Sequence, residues 1–115
     1  MKNWSDIYLL PLELAGYGCH VYDQRDNFVF QFQIRNEKTQ KSILKILNGE
    51  LEMKTKHSFT YENGCIVMDG EYTIIMIRGW GNLTGTGAHN LAEDEAANIQ
   101  DTFAAWIIEK LTKTE

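Results

Sequence analysis

The chain has 115 residues, 43% of them hydrophobic and 23% charged, with a single proline and a formal net charge of −5. That length and composition suit one folded domain, residues 1–115, and exclude the disordered, collagen-like and low-complexity classes. The negative balance argues against nonspecific nucleic-acid binding, which depends on clustered Lys and Arg neutralising phosphates.

The first residues carry one Lys, two early acids and an apolar run broken by Pro11 and Glu13. A signal peptide or a membrane span needs a longer uninterrupted apolar stretch, so a cytoplasmic chain with no membrane partner is expected. Ile7 to Leu14 is apolar around Pro11, which predicts an edge strand or an anchored arm rather than a central strand. Residues 17–34 read as a β-hairpin. Phe28, Phe30, Phe32 and Ile34 follow a period of two over Gln31, Gln33 and Arg35, and Asp23 to Asn27 forms a polar turn.

A helix of about three turns follows, with Asn36 as its cap, Ile43, Leu44, Ile46 and Leu47 on its apolar side and Asn48-Gly49 as its stop. Glu52 to Ile77 reads as three strands. Asn63-Gly64 and Asp69-Gly70 mark the two tight turns, since both positions of such a turn need positive φ. Residues 73–77 are nearly continuous apolar sequence, which predicts a central strand covered on both faces.

The chain then turns glycine-rich over residues 78–90 before a long helix from about Leu91 to Thr112, capped by Asn90 and with Glu93, Asp94 and Glu95 at the positive end of its dipole. Ala92, Ala96, Ile99, Phe103, Trp106, Ile107 and Leu111 form its apolar stripe. The expected fold is α+β: an antiparallel sheet of about five strands in the order ββαβββα, with both helices packed on one face.

The hairpin and the helix ending in Leu-Asn-Gly, carried by Val21, Asp23, Val29, Phe32, Ile43, Leu47, Asn48 and Gly49, resemble a pattern common among small uncharacterised proteins of phages and mobile elements. The resemblance covers about a third of the chain. It implies no activity and assigns no functional residue.

For chemistry, the loop 78–90 is the first candidate, because it joins a strand to a helix N-terminus, where phosphates often sit. Its spacing is neither Rossmann nor Walker A, for position 84 is Thr84 and no Lys follows the last Gly. Glu93, Asp94 and Glu95 would repel a phosphate there, and a loop that needs positive-φ residues and close backbone approach to the sheet is the favoured explanation. Trp80 stands between two glycines, either folded onto the core or exposed as an interface anchor. Arg78 and His89, at the loop's ends, are the natural partners of an anion. Cys19, Cys65, His20, His57 and His89 have no ligand-type spacing, so no metal or cofactor is expected and both thiols read as free and buried. Asp23, Asp26, Glu62, Asp69 and Glu71 fall mostly in turns, where Asp bends the backbone.

Two functions follow. The first is a non-enzymatic module that contacts another protein or a second copy of itself as a homodimer, through the glycine-rich loop, Trp80 and the Trp106 face of the last helix. The alternative is a small-ligand binder or minor enzyme, with Arg78, Thr84, Thr86 and His89 converging on a pocket beside that helix's N-terminus. An exposed apolar patch would favour the first and a concave pocket the second. Nucleic-acid binding through Lys38, Lys41 and Lys45 is disfavoured by the net charge.

Overall fold

The computed structural model describes residues 2–15, 18–52, 56–77, 83–84 and 89–112. After a short 3-10 turn at Trp4–Asp6 come strands β1 (Glu13–Leu14), β2 (His20–Tyr22) and β3 (Phe28–Phe32), helix α1 (Glu37–Leu47), strands β4 (Phe59–Glu62), β5 (Cys65–Met68) and β6 (Tyr72–Met76), and helix α2 (Glu93–Thr112). The strands form one antiparallel sheet in the order β1-β2-β3-β6-β5-β4. The fold is thus α+β with two helices, as expected, but the sheet has six strands rather than five. The extra one is β1, a two-residue edge that begins beyond Pro11, whose ring has no N–H to give a ladder.

Cross-strand partners point to the same side of a sheet. Val21 lies opposite Phe30, Phe32 opposite Ile75, Ile75 opposite Ile66, and Ile66 opposite Tyr61. This is the face both helices cover. Phe103 of α2 meets Phe30 with ring centroids 6.2 Å apart, and Asp101 of α2 takes the hydrogen bond of the Tyr61 hydroxyl. Phe103, fully buried, also contacts Trp4, Tyr8 and Trp106, so it holds the centre of an aromatic cluster. Burial of each such side chain contributes about 1.5–3 kcal/mol.

Two bulges correct the period-two reading. The register shifts between Val21 and Tyr22, so that Tyr22 faces Phe28 and Val29 is the extra residue. Val29 is therefore buried beside Phe30, whereas Phe28 leaves the core face, 36% exposed, and joins the rings of His20 and Tyr22 on the outer face. A second shift makes Ile74 the extra residue of β6. Ile74 and Ile75 are both buried while Tyr72 and Thr73 are exposed, so the apolar run reflects a bulge on a one-sided sheet and not cover on both faces.

The turn and cap chemistry is as expected around the sheet and α1. Asn63 and Gly64 sit at φ 52° and 76°, and Asp69 and Gly70 at 56° and 70°. Asn36 accepts from the Thr39 amide at 3.0 Å. At the other end Gly49 is left-handed, its N–H bonds the Ile46 carbonyl, and the Glu50 N–H bonds the Lys45 carbonyl, which is a Schellman stop. Helix α2 differs. It begins at Glu93, two residues later than expected, and Asn90 is left-handed at φ 47°, so Asn90 turns the chain instead of capping it. Ala92, exposed and one residue before the helix, likewise drops out of the apolar stripe.

No helix among the described residues is long and apolar enough to cross a membrane.

Candidate functional site

Of the residues expected to form a site, Arg78, Trp80 and Thr86 lie outside the described residues. Thr84 pairs with Leu91 in an isolated parallel bridge, and the Leu91 N–H bonds the Leu83 carbonyl, fastening the end of the loop to the approach to α2. Trp106 is half-buried, stacked on Phe103 and 4.4 Å from Trp4 between ring centroids.

His89 belongs to a polar cluster that turn chemistry alone did not reveal. Asp23 and Asn27 are each only 4% exposed. The Asp23 carboxylate accepts from the amides of Leu9, Arg25 and Asn27 at 2.8–2.9 Å and from Asn27 Nδ2 at 3.0 Å. A carboxylate in this role only accepts, so the Asn27 amide must turn its NH2 toward Asp23 and its Oδ1 toward His89. His89 Nε2 therefore donates, at 2.8 Å, and the proton of the neutral ring is fixed on that nitrogen. Burial, and after it the Asp23 charge, pushes the Tyr8 phenol well above its ordinary range. The cluster joins the N-terminal arm, the β2–β3 turn and His89. The Asp23 carboxylate and the Asn27 side chain are spent on these partners, which suits a fastening.

A concave site lies elsewhere, between α1 and the β4–β6 side of the sheet. A pocket of about 370 Å³ is lined by Ile34, Lys38, Thr39, Ser42, Ile43, Ile46, His57, Phe59, Met68, Ile74 and Leu111. The helix supplies Thr39, Ser42, Ile43 and Ile46 at spacings of three and four, hence from one side. Across the gap β4 gives Phe59, β5 gives Met68 and the bulge of β6 gives Ile74, while Leu111 closes the end nearest the C-terminus of α2.

Burial divides the wall in two. Ile43, Ile46, Phe59, Ile74 and Leu111 are buried and form the floor. Lys38, Thr39 and His57 are exposed and form the rim. His57 is held from behind: Asp69 Oδ2 lies 2.7 Å from its Nδ1, and Asp69 Oδ1 accepts from the Ser58 amide at 2.9 Å. That amide bond first, and His57 second, hold the Asp69 carboxyl below its ordinary range. The arrangement can enclose an apolar body and meet a polar end at the rim; a pocket of this size falls within the range of small-molecule sites.

The sequence did not bring these residues together as a wall, and Lys38 read only as one of three lysines on a disfavoured nucleic-acid face. Ile43, Ile46 and Ile74 read as ordinary core, and His57 as a histidine without ligand spacing. The available signal was on α1, where Thr39 and Ser42 fall on the same side as Ile46 and make that flank half polar.

A second cavity, of about 320 Å³, is lined by Leu14, Ala15, Gly18, Cys19, Arg35, Glu37 and Gln40. There Gln40 Nε2 donates to the Ile34 carbonyl at 2.6 Å and approaches Cys19 Sγ at 3.6 Å. Both Cys19 and Cys65 are free and half-buried, not fully buried as expected. Among the described residues no three His, Cys, Asp or Glu side chains gather as a metal site.

Comparisons with protein-family models, with curated proteins and with solved structures returned no match to this chain.

Proposed function

We propose that the protein binds a small apolar or amphipathic molecule in the pocket between α1 and the β4–β6 side of the sheet. The observation that carries this is an opening of about 370 Å³ with a buried aliphatic and aromatic floor and an exposed polar rim. Interiors are otherwise packed to near-crystalline density, so a gap of this volume between a helix and a sheet stands out as space for something else. The site differs from the glycine-rich loop expected from the sequence, although the ligand-binding class is the same. Two free thiols, Cys19 and Cys65, support a cytoplasmic setting for this role.

Native mass spectrometry of gently purified protein tests it. The expected spectrum shows a stoichiometric small-molecule adduct, or uptake of one 1-decanol when that alcohol is added. Ser42→Phe, which puts a ring into the pocket from a half-buried position on α1, removes the uptake. A folded chain that takes up no decanol, or a Ser42→Phe chain that takes it up unchanged, overturns the reading.

A second reading, self-association, has its own observation. His20, Tyr22 and Phe28 form an aromatic cluster on the outer face of the sheet, with ring centroids 5.0 and 5.7 Å apart. Two copies meeting there would cover Phe28. The same spectrum decides: a dimer mass that Phe28→Ser converts to monomer supports it, and a monomer at all concentrations rejects it.

A further inference from the structure

We infer that the occupant of the α1–sheet pocket is a medium-chain carboxylate, its tail on Ile43, Ile46, Phe59 and Ile74 and its head at the rim with Lys38. This rests on the ligand-binding reading above and adds the chemical class of the ligand. The charges of the wall point one way. Among the described lining residues Lys38 is the one with a permanent charge, His57 is the only other ionisable side chain, and none is a carboxylate. Two described acids beside the rim residues are already engaged. Glu37 pairs with Lys41 at 3.1 Å, and both Asp69 oxygens are occupied by His57 and the Ser58 amide. Thr39 and Ser42 add hydroxyl donors beside Lys38. A single cation with neutral donors suits one negative charge better than a doubly charged phosphate, which is usually met by Arg or by several cations.

The volume sets the length. With about 30 Å³ for each water-sized group, such as a methylene, the pocket holds roughly a dozen of them. A straight carboxylate of about ten carbons fills it. A cationic or zwitterionic head would meet Lys38 with like charge and is disfavoured.

The full-length chain, labelled with nitrogen-15, is titrated separately with sodium decanoate and with 1-decanol, and the amide shifts are followed. Both ligands are expected to move the amides of Ile43, Ile46, Phe59 and Ile74. Decanoate is expected to bind roughly three- to tenfold more tightly, the range for a charge pair at a partly exposed rim. Lys38→Met, an exposed change to another good helix former, abolishes that difference, and amide shifts that stay in place away from α1 show that the variant is folded. Equal affinity of the two ligands for the unaltered chain, or a preference for decanoate that survives Lys38→Met, overturns the carboxylate inference while the pocket reading stands. If neither ligand moves the pocket amides, both readings fall.

Discussion

The two ends of this small sheet solve opposite problems. At the β1–β3 end, the arm and the β2–β3 turn are fastened by buried polar groups: Asp23 accepts four hydrogen bonds, and the Asn48 side chain pairs with the Leu12 backbone, accepting from its N–H at 2.7 Å and donating to its carbonyl at 2.9 Å. At the β4–β6 end, α1 stands off the sheet over aliphatic side chains and leaves a gap. Satisfied polar networks specify one geometry, because each partner has a fixed direction and an unpaired buried group is costly. Apolar walls have no direction and can accept a guest in place of missing contacts. The contrast separates the part of the molecule that holds a shape from the part that leaves space.

Breaking the fastened end has the largest expected effect. Asp23→Ala leaves several buried donors unpaired and should cost about 3 kcal/mol or more, measured as the shift of the urea midpoint. Phe103→Ala, at the centre of the aromatic cluster, should cost about 3–5 kcal/mol by the same measurement. Asn48→Ala removes two bonds that the arm makes with the end of α1 and should cost about 1–2 kcal/mol. A loss near zero for Asp23→Ala would mean that the arm is not fastened there.

Adding volume sharpens the comparison. Ala104 is fully buried on α2, and Ala104→Leu should cost about 1–3 kcal/mol through overpacking. Ser42→Phe adds more atoms yet should cost less than about 1 kcal/mol, because the pocket gives the ring somewhere to go. If the Ser42 variant proves the less stable of the two, the gap is not available space.

Where the sequence was legible, a local rule had a single outcome. Asn63-Gly64 and Asp69-Gly70 force positive φ, and Asn36 and Asn48-Gly49 bound α1 whatever surrounds them. Legibility failed where a tertiary choice intervened. A bulge adds one residue to a strand and so reverses the face of all that precede it, which is how Phe28 left the core and Ile74 joined Ile75. Asp23 read as a turn former because short-range rules say nothing of Leu9 arriving from the arm. The pocket was invisible for a related reason: Ile43, Ile46, Phe59 and Ile74 have the pattern of core residues, and only the spacing of α1 from the sheet leaves room between them.

The smallest expected effect lies at the rim of the open end. The Asp69 carboxyl is held below its ordinary value of 3.8 by the Ser58 amide and by His57. A carboxyl with a lower pKa in the folded chain than in the unfolded one releases its proton more readily when folded, so its contribution is present in full above about pH 4. That contribution fades as the pH falls through the lower folded value. Asp69 is exposed, so solvent screens the effect and the change in midpoint should be slight. Asp69→Asn should therefore lower stability slightly above pH 4, where the carboxylate contributes, and leave the most acid end unchanged, so that the acid limb of a stability-against-pH curve becomes shallower. The same substitution alters the Asp69–His57 contact at the pocket rim. If it alters decanol uptake as well as the acid limb, the rim is coupled to the floor; if it alters the acid limb alone, the pocket binds through its apolar walls and the rim acts only on the head of the ligand.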